Sequence, residues 1–353
     1  MEREGTSQID SKEKVDRTRT ILVTGGAGFI GSNFIHYWLE NHPKDRIVNF
    51  DLLTYAGNLE NLRGVEKAHE AYYTFVQGNI ANQELVDHVM KIHKPDIVVN
   101  FAAESHNSRA VSNPGIFFET NVLGTQKLLD VVTKNGVERF HHISTCEVYG
   151  DLDLDSGEKF TESSLYRPRT PYNASKAGAD MAVRAYYETF GLPVTISISS
   201  NNYGPYQFPE KLIPRFITSA LGGIEMTLYQ HSHNRREWLH VQDHCRAIDL
   251  ILHSDKVGES YNVGSGEEAD IETVADTIIK ELGLDSSYKT YVEDRPGHDR
   301  RYLLDSSKIG TQLGWEPTIN FDQGIKETIK WYVRNQDWWD PLLVKLAIAE
   351  NGW

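Results

Sequence analysis

The chain is short of several things, and each shortage narrows what it can be. Only two of its 353 residues are cysteine, Cys146 and Cys245, too few for a disulfide framework and suited to a reducing, cytoplasmic compartment. No apolar run approaches the roughly 18 residues of a membrane span. Residues 1–18 are polar, lack the apolar core of a signal peptide and read as a disordered tail. Positive charge is scarce too, with 36 Lys and Arg against 50 Asp and Glu and a formal charge of −14. That field disfavours nucleic acid and anionic membranes, so an anionic small molecule would need its own local cluster of cations. No internal repeat is visible, and the length suffices for a large core divided into two lobes.

What is present is an alternation of short apolar runs and amphipathic stretches. Strands fit Thr20–Thr24, Ile47–Phe50, Tyr73–Gln77, Asp96–Phe101, Phe140–Ser144 and Val194–Ser199, with helical periodicity between most of them. This pattern predicts an α/β fold, a Rossmann-type doubly wound parallel sheet. Long helical stretches are expected around residues 115–134 and 172–190. After about Ser200 the pattern loosens. Asn201–Tyr206 reads as turn chemistry, and helices follow near 242–253 and 272–282. The expected division is a dinucleotide-binding unit over 19–200 with a returning segment near 235–262. A smaller C-terminal α/β substrate lobe would comprise 203–234 and 263–353.

Gly25, Gly28 and Gly31 lie between the first strand and a helix, and Asp51 closes the next strand. Glycines there permit a tight turn and a close approach of backbone to a pyrophosphate on the helix N-terminus. Asp51 suits the ribose hydroxyls. Leu52 and Leu53 follow it, with no Arg for a 2′-phosphate, so NAD is favoured over NADP. Phe29, Ile30, Ile80 and Ala102 are counted with this set. Asn79 is a candidate acceptor for the adenine amino group, against the equal claim of a plain surface turn.

The second chemical stretch is Ser144-Thr145-Cys146-Glu147-Val148-Tyr149-Gly150, where a strand ends in hydroxyl, thiol and carboxylate groups. Tyr172 and Lys176 are four residues apart, hence on one helix face. A cationic Lys176 and a positive nicotinamide would lower the Tyr172 pKa, and Thr145 would bond the same substrate oxygen.

These residues carry a resemblance. The stretches Thr24–Asn33, Asp51–Asn58, Phe101–His106, Pro171–Asp180, Asn201–Pro214 and Asp294–Tyr302 resemble the extended short-chain dehydrogenase/reductase family. Within it they are most similar to the nucleotide-sugar 4,6-dehydratases of the dTDP-glucose type. The resemblance implies a lyase with tightly bound NAD acting on a nucleoside-diphosphate hexose. C4 would be oxidised with Tyr172 as base, Glu147 would take the C5 proton, water would leave across C5–C6, and hydride would return to C6. The residue before that Glu, an Asp in the family, would protonate the leaving hydroxyl; here it is Cys146. The thiol either performs that step, or is inert, or marks diversion to a 5,6-dehydratase that releases an alkene, for example from UDP-N-acetylglucosamine. A catalytically degenerate, NAD-loaded binding protein is the remaining alternative.

The family's Ser-His-Val-Asp-Arg is here Ser105-His106-Asn107-Ser108-Arg109, a second departure near the substrate. By the same resemblance Ser105, His106, Asn202, Lys211, Leu212, Arg236, Asn262, Arg295, His298 and Tyr302 are substrate-binding candidates. A homodimer on the two long helices is also implied. The pairs His231/His233 and His240/His244 gain no clear third ligand and the chemistry needs no Lewis acid, so no metal is expected.

Overall fold

The computed structural model describes residues 17–230, 233–293 and 299–351. Its strands in chain order are β1 (Thr20–Thr24), β2 (Arg46–Asp51), β3 (Tyr73–Gln77), β4 (Ile97–Asn100), β5 (Arg139–Thr145) and β6 (Val194–Ser199). There follow β7 (Asn201–Tyr203), β8 (Met226–Tyr229), β9 (Arg235–His240), β10 (Glu259–Val263), β11 (Glu268–Asp270) and β12 (Lys289–Val292). Seven of them make one sheet in the order β10-β6-β5-β4-β1-β2-β3, every pair parallel. The doubly wound sheet expected from the alternation is therefore there. Strands β1, β4 and β6 are buried almost throughout because helices cover both faces. The chain reverses its direction of travel across the sheet between β1 and β4. A crevice opens beyond the carboxyl ends of strands at such a point.

The helices that matter for the site are α1 (Phe29–Asn41), α2 (Thr125–Asn135), α3 (Pro171–Phe190), α4 (Leu212–Leu221) and α5 (Val241–His253). Helix α3 has start and stop signals in its own sequence. Thr170 caps it by accepting from the Asn173 N–H, Pro171 takes the first turn, and Gly191 ends it at φ 68°. The stretch expected as one helix over 115–134 is instead interrupted. A short helix, Pro114–Phe117, runs into a π-helical segment, Phe118–Gly124, before α2 begins. The wide turn swings Asn121 inward, where its amide bonds both the N–H and the C=O of Glu104 and the Ser175 hydroxyl.

Asn201–Tyr203 is also corrected. It is a three-residue strand, β7, because Trp238–His240 of β9 offer a parallel edge to pair with. Strands β11, β9 and β7 form a small sheet and β12 pairs with β8. Around them lies a second core containing Tyr203, Phe216, Trp238, Tyr332 and Trp339. The indole of Trp338 in the last described helix donates to Asn61 Oδ1 at 3.0 Å, which pins that helix to the first half of the fold. No described helix is long and apolar enough to cross a membrane.

Candidate active site

The crevice is a cleft of about 380 Å³ that begins at the glycine turn and runs along the strand ends to Lys211. Gly25, Gly28, Phe29, Ile30, Gly31, Asp51, Asn79, Ile80 and Ala102 all line it. Two of the glycines are obligatory for reasons of space. A Cβ on Gly25, whose φ is +70°, would lie 2.6 Å from the Ala102 nitrogen, and one on Gly31 would lie 2.3 Å from the Gly25 carbonyl. Gly28 is looser, with 3.2 Å to that carbonyl. It is also the N-cap of α1 and no side chain caps the helix, so the first-turn N–H groups face the cleft uncovered.

Across from them stands the Asp51 carboxylate, accepting from Ala27 N at 2.9 Å and Leu53 N at 2.7 Å. Burial raises its pKa and those two bonds hold it down in part. An uncapped helix start, a turn without side chains and a fixed carboxylate at one end fit a dinucleotide with free ribose hydroxyls. Asn79 borders the cleft, but its Oδ1 already accepts from Ala81 N at 2.8 Å, as a local turn would have it.

The middle of the cleft is where β5 ends. Thr145, Glu147, Tyr172 and Lys176 all line it. Thr145 accepts from the Glu147 N–H at 3.3 Å, which starts a 3₁₀ turn and points the Glu147 side chain inward. In the protein alone Lys176 is turned toward strand β5. Its Nζ donates to the Ile143 carbonyl at 2.6 Å and sits 3.3 Å from His142 Nε2. Burial pushes its pKa down to about 8, against the support of Asp180 one helical turn on. Tyr172, edge-on to Phe117, is held well above the ordinary phenol value by burial and by the nearby Glu147, and a bond to Thr145 opposes this only in part. His142 is neutral, since burial and the Lys176 charge both oppose its protonation.

Cys146 is set back from this surface. It is 1 % exposed, belongs to the core that holds Val148, Tyr149 and Phe160, and lines neither cleft. Burial and the neighbouring Glu147 keep the thiol protonated. A thiol is apolar enough to join the core.

Beyond Glu147 the cleft continues into a second, of about 350 Å³, sharing Ser105, Glu147, Asn202, Gln207, Glu210 and Lys211 with the first. His106, Leu212, Arg236 and Tyr302 line this far part. Lys211 Nζ donates to the Ser105 carbonyl at 2.7 Å. Arg236 is buried; it donates to the Asp299 carbonyl at 2.6 Å and lies 4.8 Å over the Tyr302 ring. The Tyr302 hydroxyl donates to Asp299. Asn202 braces the wall, bonded to Ser199, Ser200 and His244.

Asn262 is not brought to the site. It is fully buried in β10, accepting from the Tyr149 hydroxyl and donating to the Phe160 carbonyl, because its strand direction faces the loop under the sheet. Arg295 and His298 lie outside the described residues, as does His231. Sequence reasoning missed Glu210, which accepts from the Tyr55 hydroxyl at 2.8 Å, and the role of Asn107. The only signal for the latter was its departure from the family pattern. Among the described residues, His42, Asp249 and His253 are spaced to hold a metal. They line neither cleft, and the Asp249 carboxylate there is already bonded to both rings and to the Tyr37 hydroxyl.

Comparisons with known proteins agree with this geometry. The chain is 48 % identical over 323 residues to a dTDP-glucose 4,6-dehydratase of Mycobacterium tuberculosis, covering 91 % of this chain and 96 % of that one. The dTDP-glucose 4,6-dehydratase of Bacillus anthracis in complex with NAD superposes with a TM-score of 0.85 at 47 % identity, covering 92 % of this chain and all of that one. The Streptomyces venezuelae enzyme of the same name, also with NAD bound, gives 0.87 at 45 % identity, over 92 % and 99 %. The family model described as GDP-mannose 4,6 dehydratase matches residues 22–328, and the chain belongs to that family.

Proposed function

We propose that this chain is an NAD-dependent nucleoside-diphosphate-hexose 4,6-dehydratase, taking a dTDP-glucose-like substrate to a 4-keto-6-deoxy sugar. The observation that carries the reading is convergence. Tyr172, Lys176, Thr145 and Glu147 stand in one cleft, between a dinucleotide cradle and a second cleft with Arg236 and Lys211. Gly25, Gly28, Gly31 and the start of α1 hold the NAD pyrophosphate, and Asp51 the ribose. Bound there, NAD would supply the hydride acceptor and donor that oxidation at C4 and reduction at C6 require, and a positive charge favouring the Tyr172 phenolate.

Tyr172 takes the proton of the C4 hydroxyl while Thr145 holds the same oxygen. Glu147 removes the C5 proton, which the C4 ketone acidifies, and returns a proton to the departing C6 hydroxide. Two protons leave, from the C4 hydroxyl and C5, and two return, to the hydroxide and C5, so the net loss is one water. Glu147 serves both ends of the elimination because Cys146 stands behind the cleft wall. Arg236 and Lys211 neutralise the diphosphate, the local cation cluster that the overall charge of −14 requires. The exposed Leu123 on the π-helical segment and Met181 and Phe190 on α3 support a homodimer across these helices, which sedimentation as a monomer would refute.

The deciding test is mass spectrometry of dTDP-glucose and UDP-sugars incubated in D₂O. Loss of one water with one deuterium at C5 and no net NADH is expected. A 5,6-unsaturated product would mean diversion, and an unchanged mass with C4 inverted would mean epimerisation.

A further inference from the structure

Asn107 opens the short helix Asn107–Ser112, whose N-cap His106 accepts from the Arg109 N–H. From that fixed position its side chain spans two parts of the site. Its Nδ2 donates to Glu147 Oε2 at 2.9 Å, and its Oδ1 accepts from the Thr170 hydroxyl at 2.9 Å. Thr170 is itself committed, accepting from the Asn173 N–H as the cap of α3. The chain of donors has one direction. Thr170 gives its proton to the Asn107 oxygen, and the Asn107 amide N–H is turned toward Glu147.

We infer that Asn107 is the positioning residue for the general base, holding Glu147 as an aimed carboxylate and tying it to the cap of the helix that carries Tyr172. The inference rests on the reading of Glu147 as the base. An N–H donor prefers the ionised carboxyl, which matters here because the other surroundings are divided. Burial and Asp299 favour the neutral acid; Arg236 on β9 and Lys211 ahead of α4 favour the anion. Tyr172, Tyr302 and the Cys146 thiol also face it, all three held protonated and contributing no counter-charge. Burial leaves the Glu147 pKa raised overall, and Asn107 is the neutral donor that opposes this rise without an ion pair that substrate phosphates would compete for.

The test is the Glu147 titration itself, read without substrate as the carboxyl infrared band lost in Glu147→Gln. In Asn107→Leu, close in shape and without the donor, the Glu147 pKa should rise by about one unit. The acidic limb of the kcat profile should move up with it, costing about tenfold at pH values below the limb and little at high pH. Asn107→Ala serves as a second variant should Leu disturb the helix. An unmoved Glu147 titration, or a kcat reduced by one factor at every pH, would overturn the inference. Failure of the wild type to release water overturns the dehydratase reading instead, and leaves the infrared result standing by itself.

Discussion

The two ends of the cleft are built on different plans. At the cofactor end the shape is made by main chain: the turn at Gly25–Gly31, the uncapped start of α1, and one carboxylate, Asp51, held by backbone N–H groups. At the substrate end the shape is made by side chains drawn from far apart in the chain, among them Asn107, Glu147, Lys211, Arg236 and Tyr302. Main chain needs glycine at fixed spacing and tolerates little change. Side chains can be exchanged one at a time, and here three have departed from the family pattern, at positions 107, 108 and 146. The difference teaches where this chain holds what is common to its family and where it holds what is its own.

The largest effect is expected where the two plans meet. Tyr172→Phe removes the proton acceptor for the C4 hydroxyl and should lower turnover about a hundred- to ten-thousand-fold with the fold and NAD content unchanged. Loss of NAD along with activity would mean that Tyr172 belongs to the main-chain end instead. Next is the turn itself. Gly31→Ala drives a Cβ to 2.3 Å from the Gly25 carbonyl, a backbone atom that cannot swing aside. A loss of about 1–3 kcal/mol in stability and release of bound NAD should follow, read by thermal unfolding and by absorbance of the denatured supernatant. Gly28→Ala, with 3.2 Å of room, should keep the stability and lose only cofactor affinity. Equal destabilisation by both would break the distinction drawn between them.

At the side-chain end the expected losses are in binding. Arg236→Lys keeps the charge but loses the planar fork that serves the Asp299 carbonyl and an anion together. KM should rise about tenfold with kcat within a few-fold, and the rise should grow with salt. A smaller effect concerns Lys176, with its pKa pushed down to about 8. The amine is cationic below that value, and Asp180 is the charge that supports the cation. Asp180→Asn removes the support, so the pKa falls and activity should fade at a lower pH on the alkaline side, by roughly one unit. An alkaline limb that stays put would show that Lys176 does not need its charge.

How much of this was legible follows the same division. The glycine turn could be read because Gly25, Gly28 and Gly31 lie within a few residues of one another, and Asp51 because it closes the next strand. Thr145, Glu147, Tyr172 and Lys176 were readable as a strand end and a helix face. Asn262 lines neither cleft, and a strand position by itself says nothing about which neighbour its face meets. The breaks at the π-helical segment and β7 arise from partners distant in sequence, Glu104 for Asn121 and β9 for Asn201–Tyr203. The bond from Asn107 to Glu147 joins residues forty apart and leaves no periodic trace.

The smallest effect is expected at the residue that stands out most in the sequence. Cys146 replaces a family Asp in the middle of the reactive stretch, and by sequence alone it invites a chemical role. Its thiol is buried in the core, protonated and behind the wall of both clefts, so it can be removed without touching the substrate. Cys146→Ala should cost about 1 kcal/mol of stability from the lost sulfur contacts, visible as a fall of a few degrees in Tm. Turnover should stay within about threefold of the wild type, with the same 4-keto product. A thiol that donates the proton to the leaving hydroxyl predicts a loss of a hundredfold or more and a slowed C–O cleavage with C5 exchange intact. Alkylation separates the two readings again, since a buried thiol should resist iodoacetamide until the chain unfolds, whether or not nucleotide sugar is present.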